Sequence, residues 1–251
     1  MAQPVRVVVP IDTEASEAWS VAIAYAERIG RKPGSAVSGI VLLTHTKQQL
    51  KATSLATHMG DVAAKALLAN RAVQVTSGLQ LCHATEQTLR GFARGAVVIA
   101  YFADDKMLEK LDAIGDLAGV VAVPWLVDAI DEWRGRWNPT VHGERHSLAS
   151  PLVTDPVVEK ALSALTTRVN ISGGALQTRD RDPVDETMRI LRAKGHSFDP
   201  TKLKSWAIRE GWNPGAAEDL AKIARRVIGL KAKPSLAKFH DPNARYERWT
   251  G

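Results

Sequence analysis

Residues 5–19, VRVVVPIDTEASEAW, decide the fold class of this chain. The apolar run Val5 to Val9 is typical of a strand that is buried on both faces, and the turn after it holds Asp12 and Thr13. The next residues predict an amphipathic helix, because one stripe contains Trp19, Ala22, Ile23, Ala26 and Ile29. A buried strand that leads directly into an amphipathic helix predicts an α/β fold.

Four later apolar runs repeat this pattern. They are Gly39 to Thr44, Ala72 to Thr76, Ala96 to Tyr101 and Val120 to Val123. Helical patterns fill residues 50–69, 84–94 and 105–114, and the last run is followed by an apolar stripe of Leu126, Ile130, Trp133 and Trp137, whose tryptophans we expect to be largely buried. Five strands alternating with helices predict a five-stranded, doubly wound parallel sheet with helices on both faces.

Beyond residue 150 the sequence predicts helices only. Each of four pairs places a capping side chain before a proline that is tolerated at the first helical position: Asp155-Pro156, Asp182-Pro183, Asp199-Pro200 and Asn213-Pro214. Gly229 is placed to end the last of these helices. We therefore predict an α/β domain at 1–140, a linker at 141–150, a helical domain at 151–230, and a basic tail at 231–251 that wraps the body or frays.

The excess of positive over negative charge is confined to the last third of the chain. Residues 1–170 contain 17 Lys and Arg and 17 Asp and Glu, whereas residues 171–251 contain 16 and 10, so this last segment carries the whole net charge of +6. Such an asymmetry favours an anionic partner. One hypothesis is therefore nucleic-acid binding through the basic residues of the predicted helices, which are Lys202, Lys204, Lys222, Arg225 and Arg226. Trp206 and Trp212 would then stack on bases, or they would form the core of the helical unit.

Composition also bears on location. No segment approaches the roughly 18 to 20 uninterrupted apolar residues of a membrane helix. The N-terminus leads into a strand without a basic and then apolar leader, and the single cysteine, Cys82, suits a reducing compartment. We expect a cytoplasmic protein without a membrane partner.

Candidate ligand-binding residues follow from the fold class, because doubly wound sheets bind ligands outside the carboxyl ends of their strands, near the switch in strand order. The residues at these ends are Asp12, Thr13, His45, Tyr101, Asp104 and Asp105. If the first and fourth strands are neighbours, Asp12 and either Asp104 or Asp105 could hold a divalent cation. The alternative is that these residues only cap helices.

Several reaction classes are disfavoured by the motifs that are missing. The sequence has no G-x-G-x-x-G after a strand, no G-x-x-x-x-G-K-[ST] and no G-x-S-x-G, which disfavours dinucleotide oxidoreductases, P-loop NTPases and serine hydrolases. His142, Glu144 and His146 would share one face of an extended segment, but they lack the spacing of a helical zinc motif. The sequence therefore identifies no catalytic residue, no cofactor and no committed metal site.

Residues 7–18, VVVPIDTEASEA, with the helix that contains Ala22, Tyr25 and Ala26, resemble the opening of universal stress protein domains. The strand at Ser38 to Thr44 and the five-fold β-α order are similar as well. The resemblance implies the same α/β fold and a place for Asp12 near the adenine side of a nucleotide pocket. The ATP-binding glycine signature of that family would follow the fourth strand, where this sequence has YFADD at 101–105.

Three functions compete at this point. The first is a non-catalytic sensor or adaptor in which the α/β domain binds a small ligand or a protein and the helical module relays the event. The second is the nucleic-acid-binding protein described above. The third is a metal-assisted hydrolase or transferase that uses Asp12 with Asp104 or Asp105. The absence of a complete catalytic constellation favours the first.

Overall fold

The computed structural model describes residues 3–32 and 37–251. The chain forms two compact units, Met1–Leu148 and Ala149–Gly251. The first unit is α/β and the second is helical, which confirms the predicted fold class. None of the helices in the described ranges has both the length and the apolar composition that crossing a membrane requires.

The described part of the first unit contains a seven-stranded sheet. Its strands are β1 (Val5–Val8), β2 (Gly39–Thr44), β3 (Val73–Gln74), β4 (Gln80–Thr85), β5 (Ala96–Ala103), β6 (Gly119–Pro124) and β7 (Thr140–Val141). Their order across the sheet is β3-β4-β2-β5-β6-β1-β7. Neighbouring strands are parallel, except that β3 is antiparallel to β4. Four of the five predicted runs thus form parallel strands, and the sheet has two more strands than we predicted.

The third predicted strand is wrong. Residues 72–76 contribute only the two-residue strand β3 at the edge of the sheet, and the full parallel strand is β4, at 80–85. The helix predicted at 84–94 is replaced by the end of β4 and a short 3-10 turn at Leu89–Gly91. The sequence of β4, QLCHAT, is not a continuous apolar run, because it contains polar residues such as His83. In the fold His83 is nevertheless buried, and its Nε2 lies 2.9 Å from Oγ1 of Thr44. A polar side chain that is buried in a strand leaves no signal in the apolar periodicity of the sequence.

Helices cover both faces of the sheet. They are α1 (Ser16–Gly30), α2 (Lys47–Ala52), α3 (Ser54–Met59), α4 (Asp61–Leu68), α5 (Asp105–Asp112) and α6 (Asp131–Trp137). Buried side chains of α1 to α4 pack on one face, among them Trp19, Leu50, Leu55 and Leu67. Met107, Leu108 and Leu111 of α5 and Trp133 of α6 pack on the other face. The two separate cores confirm the three-layer arrangement.

Two predicted helices of this unit differ from the structure. The helix expected at 50–69 is divided into α2, α3 and α4, because Thr53 is extended and Gly60 has a φ of 89°. The buried stripe expected from Leu126 begins only at Ile130, which is the last residue of a 3-10 turn at Val127–Ile130. Trp133 is buried as predicted, whereas Trp137 is half-buried and Leu126 is exposed. The predicted linker also begins inside this unit, since β7 pairs with β1.

The second unit contains five helices. They are α7 (Pro156–Thr166), α8 (Thr178–Ala193), α9 (Pro200–Arg209), α10 (Pro214–Ile228) and α11 (Pro242–Thr250). Three of the four predicted starts are confirmed by caps, in which the side chains of Asp155, Asp199 and Asn213 accept bonds from the next backbone amides. Gly229 follows the last residue of α10, as predicted.

One predicted helix start in this unit is wrong, and the segment predicted to wrap the body or fray contains a helix that packs on the body. Pro183 lies inside α8, which begins five residues earlier at Thr178. The segment predicted as a basic tail contains α11, which begins with Pro242 and buries Trp249 against the unit. Asp182-Pro183 therefore does not mark a helix start, because α8 continues through it with Val184 and Met188 buried. Asp241-Pro242 does precede a helix, and Trp249 anchors that helix.

Candidate functional site

The carboxyl edge of the parallel sheet is the part of the first unit where a ligand is expected. The order of strands changes direction between the neighbours β2 and β5. The next parallel strand after β2, β4, lies on one side of this pair, and the next strand after β5, β6, lies on the other. This pair of strands is the topological switch point, and a crevice between their ends is the usual binding place of the fold.

The carboxylates predicted to form a cation site are not brought together. β6 lies between β1 and β5, so the turns that hold Asp12 and Asp104 are separated by the width of two strand spacings, about 10 Å. The described residues contain no group of three or more His, Cys, Asp or Glu side chains that could hold a metal ion. The condition on which the metal-assisted hydrolase depended is therefore not met.

Asp12, Asp104 and Asp105 each have a local structural role. Asp12 accepts a bond from the amide of Glu14 at 3.0 Å. Asp104 caps α5 through the amide of Met107 at 2.7 Å, and Asp105 accepts bonds from the amides of Glu132 and Trp133 at the start of α6. Burial raises the pKa of Asp105, and the two amide bonds oppose that shift only in part. The capping alternative therefore holds for Asp104. Asp12 instead bonds within the turn before α1, and Asp105, at the start of α5, bonds the first turn of α6.

Thr13 and Tyr101 tie two strand ends together inside the protein. Both are buried, and the Tyr101 hydroxyl donates to the carbonyl oxygen of Thr13 at 3.2 Å. Burial raises the pKa of Tyr101, and the negative charges of Glu14 and Asp12 add to the shift. Neither side chain is open to a ligand in this arrangement.

His45 occupies the crevice at the switch point. Its Nδ1 lies 2.5 Å from Oε1 of Glu86, which follows β4, and its Nε2 lies 3.1 Å from the carbonyl oxygen of Phe102 in β5. Glu86 also forms an ion pair with Lys110 of α5. Burial opposes ionisation of Glu86, but the bonds from Lys110 and His45 outweigh it and lower the pKa of this carboxyl. The predicted ligand residue His45 is thus part of a charged network that bridges three strand ends.

The loop after β6 exposes three consecutive large apolar side chains, which we call the Trp125 loop. Trp125, Leu126 and Val127 are 57%, 59% and 54% exposed. The sequence interpretation assigned Leu126 to an apolar stripe that was expected to be buried. The sequence of this loop, Pro124 followed by Trp-Leu-Val, is compatible with a buried segment and with an exposed one, so it did not predict the exposure.

The segment with His142, Glu144 and His146 does not assemble as a site. The three side chains contact different partners: His142 is 3.2 Å from the Tyr25 hydroxyl, Glu144 is 3.8 Å from Arg134, and His146 is 3.4 Å from the side-chain nitrogen of Asn138.

Four of the five basic residues predicted to contact nucleic acid are paired with carboxylates of their own unit. Lys204 and Arg225 both contact Glu218, at 3.3 and 3.2 Å. Lys222 lies 3.5 Å from Asp219, and Arg226 lies 2.9 Å from Asp185. Lys202 is exposed at the start of α9. Four of the five named residues thus have a carboxylate partner, although residues 171–251 as a whole keep their excess of basic residues.

The start of α10 is covered by the loop that precedes α8. The amide of Asn213 donates to the carbonyl oxygen of Ile171 at 2.8 Å, and a Cβ on Gly215 would lie only 1.8 Å from the carbonyl oxygen of Gly174. In helix-turn-helix proteins this end of the second helix contacts base edges, so α9 and α10 do not present that surface. Trp206 and Trp212 are buried, which supports the core interpretation of both rings.

Comparison with known proteins identifies one region of similarity. Residues 154–250 match a family model described as a domain of unknown function, DUF1889. This region lies within the helical unit and covers less than half of the chain. No curated protein and no solved structure matches the chain. The resemblance of residues 7–18 to universal stress protein domains stays a prediction.

Proposed function

We propose that this protein is a non-catalytic adaptor whose α/β unit binds a protein partner through the Trp125 loop. The observation that carries the proposal is the run of three adjacent apolar side chains, each more than half exposed, at the carboxyl edge of the sheet. Scattered apolar residues are normal on a protein surface, but a contiguous cluster at this edge is typical of an interaction site.

The Trp125 loop is anchored on both sides, so its exposure belongs to an ordered conformation. The Trp125 amide donates to the carbonyl oxygen of Ala103 at 3.3 Å, and its ring lies 5.6 Å from the ring of Phe102. The chain then buries Ile130 and Trp133 completely. A loop held in this way loses little conformational entropy when a partner covers it.

Four carboxylates follow the ends of β1 and β6, the two neighbouring strands at the edge that carries the Trp125 loop. Asp12 and Glu14 follow β1, the neighbour of β6, and Asp128 and Asp131 follow the loop itself. All four are exposed, and none has an ion pair within the described part of the chain. The surface therefore complements a partner segment that combines apolar and basic side chains. A second copy docked through the same surface would bring these carboxylates together, which opposes self-association.

The remaining parts of the proposal concern the helical unit and the location. We assign to residues 149–251 the relay function, because a separate unit with its own core can transmit a binding event without taking part in it. The single cysteine, which is free and half-buried, supports a cytoplasmic location.

The test uses the full chain and two matched variants. Trp125→Ser with Leu126→Ser removes the apolar loop, whereas Val62→Ser alters an apolar side chain of α4 that is 86% exposed. A synthetic amphipathic helix of Leu and Lys is the probe, and its Leu and Glu counterpart is the control ligand. We expect fluorescence anisotropy to detect binding of the Lys peptide by the unmodified chain and by the Val62 variant, with at least about a tenfold loss in the loop variant. Equal binding by all three proteins would reject the loop as the docking surface.

A further inference from the structure

Phe102 has a backbone conformation that is unusual for its residue type. Its φ is 61°, in the left-handed region, and the pairing of β5 with β6 shifts register between Tyr101 and Ala103. The other described non-glycine residues with positive φ are Asn70, Asn138 and Asp241, which belong to the types that tolerate it. A buried aromatic residue in this region is strained, so something in the surrounding structure must hold it there.

His45 holds the bulge through the Phe102 carbonyl group. Both of its ring nitrogens face acceptors, since Nε2 lies 3.1 Å from that carbonyl oxygen and Nδ1 lies 2.5 Å from a carboxylate oxygen of Glu86. A neutral imidazole has one N–H and can donate only one of these bonds. The geometry therefore calls for a doubly protonated, positively charged His45 beside an ionised Glu86.

The charged groups around His45 come from three neighbouring elements. Glu86 follows β4, and Lys110 of α5 forms an ion pair with the same carboxylate. On the side of β2, Thr44 separates His45 from His83, and Lys47 of α2 is close enough to His83 to lower the pKa of that ring further, after burial. The pKa of His83 is about 4, so His83 is neutral above about pH 5.

The bulge is coupled directly to the Trp125 loop. The Phe102 ring lies 4.9 Å from the Tyr101 ring and 5.6 Å from the Trp125 ring. The residue after Phe102, Ala103, accepts the backbone bond from Trp125. A change in the backbone at Phe102 must therefore move an aromatic neighbour and a hydrogen-bond partner of the loop.

We propose that protonated His45 is a pH-sensitive latch, which holds the strained bulge at Phe102 and so keeps the Trp125 loop in its exposed position. When the pH rises and His45 loses one proton, one of its two bonds is lost. The carbonyl bond is the one that breaks, because the remaining proton stays on Nδ1 against the carboxylate, where the bond is charge-assisted. Phe102 is then free to relax, and the loop with it. The effect on partner binding rests on the function proposed above, but the latch itself does not.

The latch is tested on the full chain without any partner. Ring ¹⁵N shifts of His45 report its protonation between about pH 5 and about pH 9, and hydrogen exchange of the Trp125 amide reports the bond to Ala103. Two variants accompany the unmodified chain. His45→Gln can donate to the Phe102 carbonyl at every pH but cannot gain charge. His142→Gln changes a half-buried histidine that contacts Tyr25 instead.

We expect both nitrogens of His45 to carry protons at the acid end. Loss of one proton should coincide with exchange at Trp125 that is faster by about tenfold or more, after correction for the intrinsic pH dependence of exchange. This change should be absent in the His45 variant and unaltered in the His142 variant. A His45 ring that is neutral throughout the range, or exchange at Trp125 that does not follow its titration, would overturn the latch.

The ring shifts alone decide the charge state if the His45 variant does not fold. Peptide binding to the loop, measured at a single pH, is a separate experiment. The function can therefore fail while the latch stands, and the latch can fail while the loop still binds.

Discussion

The carboxyl edge of the α/β unit and the basic face of α10 are both rich in charge, but they use it in opposite ways. At the edge, Asp12, Glu14, Asp128 and Asp131 are exposed without ion pairs in the described structure, and apolar side chains stand among them. On α10 the apolar residues other than Ile228 are buried, and Lys222, Arg225 and Arg226 are paired with carboxylates.

This difference shows that a count of charges along the chain does not locate the surface that is available to a partner. The segment with the excess of basic residues pairs several of them, including Lys222, Arg225 and Arg226, with carboxylates of its own unit. The segment with balanced charge leaves carboxylates uncompensated at one edge of its sheet. Net charge is a property of composition, whereas a charged surface depends on which side chains fold next to each other.

The largest expected effect is a difference in stability between substitutions of two tryptophans, Trp125 and Trp133, that lie eight residues apart. Trp133→Ala should lower the free energy of unfolding by about 3 to 5 kcal/mol, because the ring is fully buried and its loss leaves a cavity. Trp125→Ala should change it by no more than about 0.5 kcal/mol, since this ring is more than half exposed. Urea denaturation followed by circular dichroism measures both. A large loss for Trp125→Ala would mean that the ring is structural and would weaken its assignment to a docking surface.

A buried ion pair should behave differently from the paired surface of α10. Asp112 accepts bonds from Arg136, Trp137 and Trp133 at 2.6, 3.0 and 3.3 Å. Asp112→Ala should cost about 3 to 5 kcal/mol, because it leaves the buried guanidinium of Arg136 without this partner.

The matched change on α10 is Glu218→Ala, which removes a partly exposed carboxylate and should cost no more than about 1 kcal/mol. Thermal unfolding of both variants at low and high salt provides the check. Comparable losses in the two variants would show that the ion pairs of α10 are as important to stability as the buried one.

Acid should destabilise the α/β unit through His83, which lies beneath the carboxyl edge. The pKa of His83 is lowered by burial, and to a smaller extent by Lys47, to about 4 from the ordinary 6.5. Between these values the unfolded chain binds a proton that the folded chain does not. Stability is therefore full above pH 6.5 and falls as the pH approaches 4, by about 3 kcal/mol in total.

His83→Leu removes this titrating group, so its unfolding free energy should fall less over the same pH range. The difference between the two proteins isolates His83 from the other titrating groups. Parallel pH profiles of the unmodified and variant chains would contradict the prediction.

The smallest expected effect concerns nucleic acid, which stays a hypothesis for the helical unit. The full chain should show no salt-dependent binding to a short DNA duplex at about 100 mM salt, because four of the five basic residues expected to contact phosphates are paired. Asp185→Asn with Glu218→Gln should release Lys204, Arg225 and Arg226 from these pairs. Binding should then appear with a salt slope of up to about 3 phosphates in fluorescence anisotropy. Binding by the unmodified chain would restore the hypothesis in its original form.

Local sequence signals predicted the parts of the fold whose cause is local. Four apolar runs became β1, β2, β5 and β6, and the capping side chains of Asp155, Asp199 and Asn213 located three helix starts. The missed strand, β4, contains a histidine whose burial depends on Thr44, which lies 39 residues away in the chain. A pattern search cannot detect a bond of that kind.

The sequence indicated where in the fold to look for a site, but it did not identify most of the residues that are found there. The rule for ligand sites in doubly wound sheets led to the carboxyl edge and to His45. It did not identify Glu86, and it could not show that Leu126 and Val127 are exposed, because their apolar sequence is equally compatible with a buried helix. In the helical unit, the sequence identified the basic residues of α10 but not the carboxylates that pair with them.

The sequence by itself determined the layers of this protein, because alternating apolar runs and amphipathic stripes leave few ways to bury both. The tertiary structure alone decided strand order, and with it whether Asp12 could meet Asp104. It also decided which charges are neutralised and which apolar side chains remain in water. These outcomes depend on contacts between residues far apart in the chain, whose free energy is absent from any local segment and arises only when the whole core is formed.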